Sequence, residues 1–380
     1  MMYQKYLKLN VFGDFVPINR GIKAVDNGTA ISKKILDLIQ EGNHNIVNLE
    51  CPVVENGRAK SIVKDGPHLK TSEDSVRYLK DCGFDMVTLA NNHLNDFGEE
   101  GIQDTFNACE KYGIRWVGAG KNLKEARSPK VIEKNGIKIG IINICENESS
   151  IATDEAPGSN PIDEINNYYD IVQLQSIVDK VIMILHGGVE YYRFPSPRMK
   201  KLCHFYADLG VSAIVCHHTH CYSGYEVYHG VPIFYSLGNF FFDRPNKTMQ
   251  WKTGYFVQLA FGEDTKFNLY PYVQCDVEAQ VRLMTVEEKE QFNLEIKNIN
   301  EFISNDFLLN NEYNNWLDYR KRHYMAIAET WAGKLYKAAY RRGCLPAFIS
   351  KKNAVLLLNN IRCESHHDLF VKSLLKYIEK

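Results

Sequence analysis

The sequence predicts a large mixed α/β core followed by a helical appendage, and three observations carry that reading. β-Branched apolar runs alternate with stretches of helical spacing from Tyr6 to Val215. Strand-like alternation then continues to Val273, and after Thr285 the pattern changes to helices with charged faces. A boundary is therefore expected near residue 285, giving a core domain of residues 1–284 and a mainly helical region of residues 285–380. A chain of 380 residues can bury one large core plus such an appendage.

Taken in order, residues 6–12 read as a first strand, with Gly13 permitting a tight turn that projects Asp14 from its end. Residues 33–40 have helical spacing, and residues 45–49 form a second strand that delivers Glu50 before Pro52. A helix over 72–82 precedes a strand over 84–90, which delivers Asn91, Asn92 and His93. Helix 98–112, strand 114–117 and strand 136–144, the last after an Asn-Gly turn, follow. Helix 169–178 leads into strand 181–185 with His186 at its end, and helix 198–209 into strand 211–215, where Cys216-His217-His218-Thr219-His220-Cys221 begins. Residues 225–228 and 231–235 read as a hairpin turning at His229-Gly230, with further strands over 254–261 and 267–273.

The formal net charge of -1 excludes nucleic acid as a partner suggested by the chain as a whole. Residues 311–380 are uneven, with 13 Lys and Arg against 6 Asp and Glu, a candidate surface for an anionic partner. Ten cysteines lie scattered without paired spacing, and residues near Met1 hold no apolar run, so reduced thiols and a cytoplasmic location are expected. The longest apolar runs, such as 181–185, are far short of the ~20 residues of a membrane span, so no integral membrane segment is expected. His366 and His367 are expected at the surface.

The chemistry gathers at the strand ends. Asp14, Glu50, Asn92 with His93, His186, and His218 with His220 offer two carboxylates, an amide oxygen and several imidazoles. Mixed oxygen and nitrogen ligation suits Mn, Fe or Zn rather than Ca or Mg. His218 and His220 stand two apart, and in extended backbone such residues project from one side while Thr219 points away. Two ions about 4 Å apart can share a carboxylate and clamp a phosphoryl oxygen from both sides. Cys216 and Cys221 bracket the histidines, and small buried thiols are the expected reading for them.

Several ordered motifs carry a resemblance. Gly13-Asp14, Asn48-Leu49-Glu50-Cys51-Pro52, Leu89-Ala90-Asn91-Asn92-His93 with Asp96 and Gly98, and Gly118-Ala119-Gly120 come first. His186-Gly187-Gly188-Val189-Glu190-Tyr191, His217-His218-Thr219-His220, and Tyr235-Ser236-Leu237-Gly238-Asn239-Phe240 with Asp243 follow. Together, over roughly residues 7–261, they resemble the bacterial capsule-synthesis CapA family of poly-γ-glutamate production, related to calcineurin-like metallophosphoesterases.

The resemblance implies a four-layer αββα sandwich of two mixed sheets with a C-terminal helical appendage. It implies a metal-dependent phosphoesterase with two divalent ions, Mn, Fe or Zn, associated with surface-polymer synthesis. Hydrolysis of γ-glutamyl amide links, and a non-catalytic polymer-binding or assembly role, are the alternatives. Asp14 and Glu50 would be carboxylate ligands, Glu50 bridging, with Asn92, His186 and His218 on one ion and His220 on the other. His93 would be a general acid oriented by Asp96. Glu190, Tyr191, Arg193, His217 and Asn239 are assigned to an anionic phosphoester or acidic polymer substrate, and partners in surface-polymer synthesis are expected. Metallophosphoesterases carry a histidine two residues after the first aspartate, where this chain has Val16. Gly187 stands where the family usually has tryptophan, Cys216 where glycine is expected, and Thr219 where proline is expected.

Overall fold

Alternation along the first strand, Leu7–Val16, divides the core in two. Leu7, Leu9 and Val11 enter one apolar cluster, whereas Phe12 and Phe15 enter another on the opposite side. The computed structural model describes residues 6–55, 59–64, 66–244, 247–328 and 333–362, so His366 and His367 lie outside the described residues. Neighbouring strands sort in the same way, Ile46 and Met86 to the first cluster and Val47 and Val87 to the second.

Two mixed sheets result. From one edge, the larger runs Val281–Leu283, Thr265–Gln274, Thr253–Phe261, Leu7–Val16, His44–Leu49, Met86–Thr88 and Arg115–Val117, and Asn239–Phe242 pairs in parallel with Leu7–Val16. The smaller runs Tyr225–Tyr228, Val231–Phe234, Ala213–His217, Lys180–His186, Ile137–Cys145 and Lys130–Lys134. The first cluster joins the sheets and continues to Ile171 and Leu174 of helix Glu164–Gln175 and to Leu202 and Tyr206 of helix Pro197–Asp208. The second joins the larger sheet to Ile35 of helix Lys33–Glu41, Leu79 of helix Glu73–Asp81 and Phe106 of helix Gly98–Tyr112. These are the four layers of an αββα sandwich.

Helix Val286–Ser304 adds Phe292, Ile296, Ile299 and Ile303 to the first cluster, one apolar stripe at helical spacing. Buried Lys200 donates to Ile303 O at 2.6 Å, where that helix ends. The chain divides into two compact units, Met1–Asn310 and Asn311–Lys380, and helices Lys334–Arg341 and Lys351–Arg362 belong to the second. Among the described residues, no helix is long and apolar enough to cross a membrane, and nine cysteines are free thiols.

Two local differences bear on the site. The first strand does not end at Phe12: it shifts register between Phe12 and Asp14 and continues to Val16, because Asn239–Phe242 supplies a further parallel partner. Gly13 therefore serves close approach rather than a turn, since a Cβ there would stand 1.9 Å from Gly238 O.

Candidate metal centre

Parallel pairing brings the ends of strands from both sheets to a common edge. His44–Leu49 and Met86–Thr88 run parallel to Leu7–Val16 in the larger sheet, and Ala213–His217 runs parallel to Lys180–His186 in the smaller. Glu50, Asn92, His186, His218 and His220 end or follow these strands, Asp14 lies near the end of Leu7–Val16, and all six are buried. Five of them form two groups whose ligand atoms lie within 4.8 Å of one another, Glu50-His186-His218 and Asp14-Glu50-His220, with Glu50 common to both.

In the first group, His186 Nε2 lies 3.3 Å from Glu50 Oε1, 3.1 Å from His218 Nδ1 and 3.1 Å from Asn92 Oδ1. In the second, His220 Nδ1 lies 3.7 Å from Asp14 Oδ2 and 3.8 Å from Glu50 Oε2. Ligand atoms about 2.1 Å from one ion stand about 3 to 3.5 Å apart, so the first group already has the spacing of a coordination shell. The orphaned oxygens fit an ion as well. Asp14 Oδ2 and both Glu50 oxygens are buried without a hydrogen-bond partner, which is costly for a carboxylate unless a cation meets it. Asn48 Nδ2 holds the other oxygen, Asp14 Oδ1, at 2.8 Å.

His218 and His220 converge by a different backbone route from the extended one expected. Their φ values are 97° and 57°, both left-handed, because the chain turns back immediately after His217. Such backbone in a non-glycine residue costs about 1–3 kcal/mol and is characteristic of functional sites. Thr219 points away, its Oγ1 donating to Cys221 O at 2.8 Å and lying 2.9 Å from Ser236 Oγ. Cys216 Sγ faces Cys203 Sγ at 3.8 Å and Cys221 contacts Thr219, so neither joins the two groups.

His93 stands beside them, near enough that its charge depresses the basicity of His186, His218 and His220. Its Nδ1 lies 2.7 Å from Asp96 Oδ2, which also accepts from the Leu69 N–H. Lys64 reaches in from a loop to pair with Asp96, its Nζ lying 3.1 Å from His93 Nδ1. No periodicity marks Lys64 in the sequence.

Of the residues assigned to substrate, Tyr191 and Glu190 are at the mouth and exposed. Tyr191 stacks against Trp251, with 6.1 Å between centroids. Asn239 is buried against His220, with Oδ1 3.0 Å from Nδ1. His217 is buried behind Asp14, its Nδ1 3.6 Å from Asp14 Oδ1, and faces no open space. Arg193 is not brought to the groups: its Nη2 bonds Glu295 at 2.9 Å and its guanidinium covers Tyr222. Other cations occupy the mouth. Lys247 lies over Tyr191 and Trp251, 4.6 Å from each centroid, and Arg244 lies over Phe242 and Trp251. Arg244 is close enough to oppose the rise in the Glu50 pKa. The Arg244-Pro245-Asn246-Lys247 stretch just after Asp243 was the available sequence signal.

Burial governs protonation when no ion is bound. It pushes Asp14 up to about 7, against the lowering effect of its bonds from Asn48 and the His218 backbone, and raises Glu50 well above its ordinary range, with Asp14 adding to the rise. It lowers His218 to about 4 and His217 to about 3, and holds His186 and His220 well below ordinary imidazole. The two classes have opposite effects on stability. The histidine contribution is lost as pH falls from 6.5 toward 4, because the unfolded chain then binds more protons. The carboxylate contribution is lost as pH rises from 3.8 through about 7, because the folded chain must release protons. Chelated protein is therefore expected to melt at the highest temperature near pH 6.5 and lower above it, and added Mn²⁺ to remove the alkaline decline. Melting curves that stay level from about pH 6.5 to 8.5 with chelator present would contradict this reading.

Residues 8–244 match the family described as "Bacterial capsule synthesis protein PGA_cap". A capsule biosynthesis protein CapA of Bacillus anthracis is 32% identical over 250 residues, covering 63% of this chain and 60% of that protein. A PGA biosynthesis protein CapA of Bacillus subtilis is 36% identical over 200 residues, covering 52% of each. The matched region thus spans less than two thirds of either relative. A hypothetical protein from Thermus thermophilus, of known structure, aligns with TM-score 0.45 and 16% identity over 73% of this chain and 100% of that one.

Proposed function

Since the chain belongs to the bacterial capsule synthesis PGA_cap family, we propose that it is a metal-dependent hydrolase of the calcineurin-like phosphoesterase type, acting on an anionic phosphoester in poly-γ-glutamate-like surface-polymer synthesis. The observation that carries this is the pair of buried ligand groups sharing Glu50, with His93 and Asp96 beside them. Two divalent ions, Mn, Fe or Zn, held by Asp14, Glu50, Asn92, His186, His218 and His220 would polarise the scissile group and activate water. Asp96 holds His93 Nδ1, so His93 Nε2 is the atom that protonates the departing ester oxygen as the phosphorus-oxygen bond breaks. Lys64 pairs with Asp96 and so balances the buried carboxylate that orients His93.

At the mouth, Arg244 and Lys247 meet the substrate's remaining negative charge, with Tyr191 and Trp251 as their apolar backing. The same cationic mouth suits an acidic polymer, which favours γ-glutamyl amide hydrolysis as the second reading. Elemental analysis of the purified protein, with a screen of phosphoesters and γ-glutamyl peptides, tests both readings. Metal-replete protein inactive on every phosphoester but active on the peptides would select the second. Arg244→Ala and Lys247→Ala are each expected to raise KM about 5- to 10-fold with metal content unchanged, the effect of removing one partly exposed charge contact. An unchanged KM in both variants would take these cations out of substrate binding.

A further inference from the structure

The two ligand groups are unequal as the titratable residues define them. Glu50, His186 and His218 are joined by Asn92 Oδ1, whereas Asp14, Glu50 and His220 lack the imidazole that phosphoesterases place where Val16 stands. Val16 has no donor atom to offer an ion. It is fully buried in the phenylalanine-rich cluster and paired with Phe242.

Resting on the metal-centre reading above, we propose that Asn239 Oδ1 is the missing protein ligand of the Asp14-Glu50-His220 group. The amide orientation is determined by its partners. Asn239 Nδ2 donates to His220 O at 3.1 Å and to Trp251 O at 3.2 Å, and carbonyls accept only from the nitrogen end. The oxygen is therefore the atom 3.0 Å from His220 Nδ1. That ring nitrogen is also the one facing Asp14 Oδ2 and Glu50 Oε2.

Asn92 repeats the arrangement in the other group. Its Oδ1 lies 3.1 Å from His186 Nε2 while its amide also bonds Glu148. Strand pairing explains how a residue so distant in sequence arrives there. Asp14 and Asn239 are direct partners across the parallel pair, just before the register shift at Phe15. An amide oxygen replaces an imidazole without changing the charge of the site. It makes this group richer in oxygen, which shifts its preference toward Mn²⁺ and away from Zn²⁺.

The test loads the full chain with Mn²⁺ and counts ions by elemental analysis and equilibrium titration, alongside the spin-coupling signal of a Mn²⁺ pair. Wild type is expected to take two ions. Asn239→Ala should keep one tight ion, bind the second more than about 100-fold more weakly, beyond the 10- to 100-fold loss of an outer-shell partner, and lose the coupling signal. Asn239→Asp should keep both ions. If Asn239→Ala binds the second ion within about 100-fold of wild-type affinity, the amide merely accepts a hydrogen bond from His220 and the proposal falls. If wild type takes up no ion, the metal-centre reading itself falls. Should Asn239→Ala not fold, Co²⁺-loaded Asn239→Asp decides: the visible absorption of one ion should change and that of the other should not, and a spectrum identical to wild type overturns the proposal.

Discussion

Replacement of His218 by alanine is expected to remove metal and activity together. The imidazole is one of four donors in its group, with His186, Glu50 Oε1 and Asn92 Oδ1, and its Nδ1 stands 3.1 Å from His186 Nε2. Loss of a direct ligand should exceed the 10- to 100-fold loss of affinity usual for an outer-shell partner. His217 does not offer a substitute, because it is buried behind Asp14, its Nδ1 3.6 Å from Asp14 Oδ1, and belongs to neither group. Bound metal measured on purified His218→Ala should fall by at least one equivalent, and turnover of any phosphoester identified in the screen should fall to background. A variant that retains both ions and its turnover would remove His218 from the centre.

His93→Ala should have a different signature. His93 Nδ1 is occupied by Asp96 and lies near Lys64, and the ring belongs to neither group of ligand atoms. Metal content should therefore remain near that of wild type while kcat falls about 10²- to 10⁴-fold, the usual contribution of a general acid. The defect should shrink for a nitrophenyl ester, whose leaving group departs without a proton. His93 is the cleaner position to change than Asp96, whose carboxylate also anchors Leu69 N–H and Lys64. If His93→Ala loses metal as fully as His218→Ala, the residue is a ligand. If both variants keep wild-type turnover, the protein acts by binding or assembly.

The positions of Glu50, His93 and His186 at or just past strand ends were legible because strand length and turn residues are local properties, whereas Asp14 lies inside Leu7–Val16 because a late strand extends the pairing. Helix Gly98–Tyr112 was equally clear, since its apolar spacing and the following Gly113, which is left-handed at φ 66°, mark both its face and its end. The placement of Arg193 was not. Proximity to the His186 motif suggested the substrate, yet Glu295, on a helix that the sequence showed only as amphipathic, captures the guanidinium. Lys64 and Lys247 enter the site from irregular segments, whose paths depend on what they pack against rather than on any period.

By itself, then, the sequence determined which residues lie at strand ends, which faces are apolar and which side chains carry ligand chemistry, because these depend on spacing over a few residues. Tertiary structure alone decided that His218 and His220 converge through left-handed backbone and that Asn239 faces Asp14. The reason is that these contacts require two sheets to pack and a late strand to pair with the first, bringing Asn239 and Asp14 together across the chain. Such pairing is set by the sum of burial over the whole core, which no local pattern contains.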